Sequence, residues 1–470
     1  MARGPLSISS GVLTEWIAAR AGSKSSVVVG PGILEVTMKH LRWAPFYASL
    51  LLAATVVLQA AKTDTWKILT GDAAWANSTE LTPGTSRRIT AKSLPAPGKG
   101  TPGKQKQIQR PEGAMPKAPA GFTVQIYAET GTNAPRQIRV APNGDIFVVN
   151  STQGSVSVYR GVTADGKAMM SETFTTGLTG PFGVNFWPAG NNPQWVYIGN
   201  TGSIVRFPYK SGDMKASGPA QELISDIPPR GNHSTRDIVF SKEGTLLVAV
   251  GSASNINDPD KFPAEFHRAN ILEYTPDGKF IGVYASGIRN PVGLAVNPTT
   301  NEVWTSINER DDLGDNLVPD YVTSVKKGGF YGWPYYYIGG NPDARLGGVH
   351  PELKDKVIVP DVLIQAHSAS LGMTFYTGNK FPAEYRGDAF AAEHGSWNRS
   401  VKAGHEVVRI PLENGKSNGV YQDFLTGFVD ANGSPWGRPV GVATAPDGSL
   451  LVTDDGARII WRVSYTGSAK

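Results

Sequence analysis

A short apolar strand, a Pro-Asn-Gly or Pro-Asp-Gly turn and a second alternating strand recur along this chain. A recurring strand unit leaves few folds open. The clearest copies are residues 136–149, reading RQIRVAPNGDIFVV, and residues 438–452, reading RPVGVATAPDGSLLV. Looser copies begin near Gly180, at Arg236, at Arg289 and near Ser370. Asn-Gly and Asp-Gly accept the positive φ that hairpin turns need. Six copies, roughly 45 to 80 residues apart, predict an all-β, six-bladed β-propeller with one four-stranded sheet per copy. A β-sandwich accommodates six regular copies poorly. The strand at residues 122–128 is expected to pair with residues 458–465 and close the ring, which hides the sheet edges.

The 470 residues include 54 Gly and 34 Pro, and only 18% are charged, a turn-rich globular composition. The net charge of +5 comes without a basic stripe interleaved with aromatics, so no nucleic-acid partner is expected. The absence of cysteine excludes disulfides, thiolate zinc sites and haem attached through Cys-x-x-Cys-His. From Met38 the chain reads MKHLRWAPFYASLLLAATVVLQAAKTD. Its basic start, apolar run and closing small residues are the parts of a secretory signal peptide, with an uncleaved signal-anchor helix as the alternative. The expected organisation is an N-terminal extension with signal peptide over 1–61, with the true start at Met38, an irregular segment over 62–120, and the propeller over 121–466. The mature protein is expected to be periplasmic or secreted, with no membrane span.

In a propeller the innermost strand of each blade begins at the channel mouth, so the residues just before each copy converge. Here they are chemically unusual. Gly231-Asn232-His233-Ser234-Thr235-Arg236 precedes the third copy and Gly287-Ile288-Arg289-Asn290-Pro291 the fourth. His367 and Ser368 precede the fifth, and Trp436-Gly437-Arg438-Pro439 the sixth. Cations, amides and imidazole at such positions point to a polar anionic or quinonoid ligand, although any one of them alone is more often structural. The loop Asn308-Glu309-Arg310-Asp311-Asp312-Leu313-Gly314-Asp315-Asn316 is oxygen-rich, as Ca²⁺ prefers, and equally resembles a solvated acidic turn. Glu393-His394-Gly395-Ser396-Trp397-Asn398-Arg399 places imidazole, indole, amide and guanidinium on one loop. No Gly-x-Ser-x-Gly elbow, His-Glu-x-x-His or phosphate-binding loop appears.

Together these segments resemble the soluble quinoprotein sugar dehydrogenases, in particular their L-sorbosone dehydrogenase-like branch. The motifs carrying the resemblance are Asn232-His233 with Arg236, Gly287-x-Arg289-Asn290-Pro291, the 308–316 loop with Gly328-Gly329-x-Tyr331-Gly332-Trp333-Pro334, and His394-Gly395-Ser396-Trp397-Asn398-Arg399. The resemblance implies pyrroloquinoline quinone (PQQ) on the channel mouth and a Ca²⁺ ion beside it. It implies His233 as the base that takes the substrate hydroxyl proton, with Arg289 also in the catalytic set. Arg236, Arg289, Asn290, Asn398, Arg399 and Arg438 are the implied cofactor grip. Glu309, Arg310, Asp311, Asp312 and Asp315 are the implied metal loop. The implied partners are a small sugar or sugar aldehyde and a separate electron acceptor, a quinone or cytochrome. Two positions depart from better-known members: Asn398 stands where they have lysine, and Val440 replaces a second arginine after Arg438. The alternative readings are a Ca²⁺-dependent lactonase and a carbohydrate-binding propeller with a degenerate cofactor site.

Overall fold

The second strand of each repeat is apolar on both faces. Ile146–Asn150, Leu246–Val250 and Leu450–Asp454 are buried along their whole length. Strands of that kind must lie in sheets covered on both sides. The computed structural model, which describes residues 25–28, 33–36, 67–229 and 231–467, meets the demand by stacking six sheets. Two units are distinguished. In the first, Met1–Trp66, Ser25–Val28 pairs antiparallel with Ile33–Val36. The expected signal segment from Met38 onward lies outside the described residues. The second unit, Lys67–Lys470, contains the six sheets.

Each sheet is an antiparallel meander, and each begins at a predicted copy. The first strands of blades 1 to 6 are Ile138–Val140, Gly183–Trp187, Ile238–Phe240, Asn290–Val296, Ser370–Phe375 and Pro439–Thr444. The predicted turns form as expected: Gly144 and Gly448 adopt φ of 91° and 79° at the tips of the first hairpins of blades 1 and 6. Blade 6 takes its fourth strand from the other end of the chain. Phe122–Glu129 runs antiparallel to Ile459–Tyr465, from Phe122 opposite Tyr465 to Glu129 opposite Ile459. The ring is closed as the sequence predicts.

Alternation along each strand builds the seams between blades. Phe147 and Val149 of blade 1 pack against Val184, Phe186 and Ile198 of blade 2. Their neighbours Ile146 and Val148 point the other way, onto Leu451 and Ile460 of blade 6. Longer insertions decorate this frame. The chain between Ser324 and Val362 of blade 4 lends Gly329–Phe330 to blade 3 as a parallel fifth strand. The segment ahead of the propeller is also partly ordered into sheet. Ser86–Arg88 pairs with Tyr421–Leu425 at the outer edge of blade 5, and Ile68–Thr70 adds outside it.

Because the meanders are antiparallel, the loops entering each first strand and those joining second to third strands share one end of the ring. That end is the mouth anticipated from the sequence.

Candidate active site at the channel mouth

In four of the six blades the residue just before an innermost-strand glycine determines what fills the axis. Phe182, Val292, Leu371 and Val440 precede Gly183, Gly293, Gly372 and Gly441 in blades 2, 4, 5 and 6. The four side chains form one buried cluster. Residues from four separate blades can meet only on the axis, so this cluster is an apolar floor beneath the mouth. Below it Asp237 accepts from Gln137 Nε2 at 2.7 Å, Arg139 NH2 at 3.0 Å and the Leu294 amide at 2.9 Å, which ties blades 1, 3 and 4 together.

On the wall formed by blades 3 and 4, His233 Nδ1 lies 2.8 Å from the Ser252 carbonyl. A carbonyl only accepts, so Nδ1 carries the proton and Nε2 presents its lone pair. Burial and the charges of Arg289 and Arg268 push the imidazole down to about 3, so it is neutral near pH 7. Arg289 donates to the Glu309 carbonyl at 2.6 Å, to Asn255 Oδ1 at 3.0 Å and to Asp311 Oδ2 at 3.0 Å. Asn290 Nδ2 donates to Asn308 Oδ1 at 3.2 Å, while its own buried Oδ1 has no partner. Gly251 passes directly beneath: a Cβ there would lie 2.1 Å from Asn290 Oδ1 and 2.7 Å from His233 Cβ. Only glycine lets these two residues flank the same point.

On the opposite wall, blades 5, 6 and 1 supply a network that sequence reading only half revealed. Asp455 receives Arg136 NH1 at 2.6 Å and faces His394 Nε2 at 3.0 Å. Arg438 NH2 meets His394 Nδ1 at 2.9 Å. Burial works to raise the Asp455 carboxyl, but His394, Arg136 and Arg438 hold it well below the usual range. Arg136 and Asp455 were not singled out from sequence. Arg136 occupies the same place in its copy as Arg236, and that alignment was the available signal. Asn255, which grips Arg289, lies within a long loop with no repeat to mark it.

Several expected residues are committed elsewhere. Arg236 is fully buried and gives its guanidinium to the carbonyls of Pro228, His233 and Thr235, so it supports the His233 loop from below. Asn398 is covered by Gly100, whose Cβ would lie 3.4 Å from its Oδ1, and its amide meets Asp312 at 3.4 Å. Arg399 donates to the carbonyls of Ala76 and Asp315 and to Asn316 Oδ1. A neighbouring lysine, Lys402, is likewise engaged, donating to the Ser396 carbonyl at 2.8 Å.

The 308–316 loop does not assemble the expected calcium ligands. Glu309 turns inward onto Arg310 at 2.9 Å. Arg310, itself a cation, is fully buried on the carbonyls of Pro334 and Tyr336 and on Asp343. Asp311 is held by Arg289 and faces His367 Nδ1 at 3.4 Å. Asp315 accepts from the Ser400 amide and hydroxyl. Internal cations and donors consume these oxygens, and only Asp312 keeps its carboxylate exposed. Among the described residues, the one group of three donors arranged to hold a metal is Asp258, Asp260 and His350.

Buried titratable groups at this end predict a pH optimum of stability. Burial raises Glu393 to about 8, Asp320 to about 7 and Asp454 to about 6. Their stabilisation is complete below the unfolded carboxylate pKa and is lost as pH rises through these values. Burial lowers His394 to about 4 and His405 to about 3. Their stabilisation is present above the unfolded histidine pKa and is lost as pH falls towards 4. Each group changes stability by about 1.4 kcal/mol per pH unit within its window. Between about pH 4.5 and pH 6 three carboxyls lose stabilisation while two histidines gain it, so thermal melts between pH 3 and pH 8 should peak at about pH 4 to 4.5 and fall clearly above about pH 6.5.

A family model described as Glucose / Sorbosone dehydrogenase matches residues 132–458. An uncharacterized protein of Borreliella burgdorferi is 33% identical over 74% of this chain and 90% of its own length. The aldose sugar dehydrogenase YliI of Escherichia coli is 29% identical over 39% of this chain, and the match spans 52% of that relative. The holo form of the pyranose dehydrogenase PQQ domain from Coprinopsis cinerea superposes with a TM-score of 0.64 at 20% identity, covering 76% of this chain and 98% of that one.

Proposed function

The chain belongs to the Glucose / Sorbosone dehydrogenase family, and from that premise we propose that it oxidises a sugar or sugar aldehyde with PQQ as cofactor. The observation that carries the reading is His233, whose Nδ1–H is fixed on the Ser252 carbonyl and whose Nε2 lone pair remains available beside Arg289. Neutral imidazole in a fixed tautomer suits removal of a hydroxyl proton.

The mouth fits a planar aromatic carrying several carboxylates. Phe182, Val292, Leu371 and Val440 offer an apolar surface for a ring. Val440, which replaces an arginine of better-known relatives, contributes to that surface. Arg136 and Arg438 share the one carboxylate of Asp455, so two guanidinium charges face a single negative charge. The Arg438 side chain is 37% exposed and its Nε stands 3.8 Å from Asp455, which leaves it the more available of the two. PQQ, when bound, supplies the carbonyl that accepts the electron pair. His233 takes the substrate hydroxyl proton at Nε2. Arg289, held by Asn255 and Asp311, keeps a fixed positive charge beside the reacting atoms. The 308–316 loop does not fit the expected calcium ion, and no step is routed through a metal there. Electrons leave to a separate acceptor, and secretion or export to the periplasm agrees with a sugar substrate outside the cytoplasm.

Titrating the apo-protein with PQQ while following the fluorescence of its 11 tryptophans tests this reading. Saturable quenching is expected, weakened in Arg438→Ala, followed by sugar-dependent reduction of a dye acceptor. Absence of saturable PQQ binding overturns the assignment.

A further inference from the structure

Away from the mouth network, two loops meet around a second chemical centre. The loop between the second and third strands of blade 3 brings Asp258 and Asp260. The long insertion of blade 4 brings His350. One ligand atom from each lies within 4.8 Å of the others. His350 Nε2 is 3.0 Å from Asp260 Oδ2, and His350 Nδ1 is 2.8 Å from Glu352 Oε1. Asp258 is oriented by the Tyr335 hydroxyl at 2.8 Å and by the Asp260 amide at 3.1 Å. With Nδ1–H donating to Glu352, a metal ion would take the place of the Nε2 proton that faces Asp260. This carboxylate–imidazole arrangement aims a histidine at a cation. A cavity of about 560 Å³ opens beside these groups, with Asp260, Glu265, Tyr335 and His350 on its wall. It leaves room for waters or a further ligand to complete a coordination shell.

We infer that Asp258, Asp260 and His350 form a site for a divalent transition-metal ion. One imidazole with two carboxylates suits Zn²⁺ or Mn²⁺ better than Ca²⁺, which prefers six to eight oxygens. Lys261, whose Nζ is 3.3 Å from Asp258 and whose side chain is 67% exposed, is the cation that the metal displaces. The ion joins the blade 3 loop to the blade 4 insertion. The same blade 3 loop carries Asn255, which holds Arg289 and donates to Asp311. The metal thus staples the support of the mouth without entering it. The inference does not depend on the redox reading.

The test uses full-length apo-protein stripped with chelator, without PQQ, titrated calorimetrically with Zn²⁺, Mn²⁺ and Ca²⁺. One stoichiometric site is expected for Zn²⁺ or Mn²⁺, with Ca²⁺ at least about tenfold weaker. His350→Ala and Asp260→Asn should each weaken it by more than about tenfold, and Glu352→Gln by roughly tenfold. Lys261→Ala should tighten it. Lys261 and Glu352 have side chains 67% and 60% exposed, so their variants keep the test decisive if His350→Ala fails to fold. Absence of a saturable site, preference for Ca²⁺, or affinities unmoved by these variants overturns the inference.

Discussion

His233→Ala should lower kcat by roughly 10²- to 10⁴-fold while leaving PQQ affinity, read by tryptophan fluorescence, within a few-fold of wild type. The split follows from the position of the side chain. Its Nδ1 is spent on the Ser252 carbonyl, so the ring contributes little to gripping a cofactor. What truncation removes is the free Nε2 lone pair, the group that would take the substrate proton. The backbone at this point is independently held, because Arg236 and Arg268 both donate to the His233 carbonyl. The variant should therefore fold normally. The pH dependence gives a second readout. Burial and the charges of Arg289 and Arg268 set the free-protein imidazole at about 3. His233 thus produces no acid limb in kcat/KM between pH 5 and pH 8. An anionic cofactor beside Arg289 would offset part of that positive field, and because kcat and kcat/KM both report the cofactor-loaded protein it moves the two profiles together. Retained turnover in His233→Ala would remove His233 from the reaction.

The ring was legible because its signal is local. Each copy carries its turn, its alternation and the start of its innermost strand within about fifteen residues, and closure needs only one spare strand at each end. The floor of the mouth was partly legible for the same reason. Val440 stood out as a departure, but its meaning came only when Phe182, Val292 and Leu371 converged on it. The calcium loop illustrates the limit. Composition records that 308–316 is rich in oxygen, whereas geometry decides which oxygens are already engaged. Arg289, Arg310 and Ser400 engage Asp311, Glu309 and Asp315, and two of those partners lie outside the loop. The Arg136–Asp455–His394–Arg438 network was hidden because its members come from three blades and no motif links them. The segment before residue 120 read as irregular because its strands are three residues long, too short for any period to register.

That segment carries the second large effect. Arg87→Ala should destabilise the protein by about 3–5 kcal/mol. Arg87 lies in the added strand Ser86–Arg88 and is nearly fully buried. Its Nε and NH2 each donate to one oxygen of Asp423 at 2.9 Å, and its NH1 reaches the carbonyls of Ala73 and Ala74. Removing it leaves the Asp423 carboxylate buried and uncompensated beside Glu406, whose own Oε2 has no partner and whose carboxyl burial already pushes up. A bidentate pair stabilises little over a well-packed apolar replacement, but half of it is strongly unfavourable. Arg87→Met combined with Asp423→Leu should therefore recover most of what Arg87→Ala loses, and denaturant unfolding of wild type and the two variants checks this. The same cycle has a functional readout. The chain just upstream of Arg87 supplies the Ala76 carbonyl to Arg399 and the Ser78 amide to the Lys402 carbonyl, and these bonds pin the loop that begins at His394. If the pre-propeller segment braces the mouth, PQQ affinity should fall in Arg87→Ala and return in the double variant along with stability. If stability returns without affinity, the segment supports blade 5 alone, and the mouth network of His394, Arg438 and Asp455 holds its own geometry.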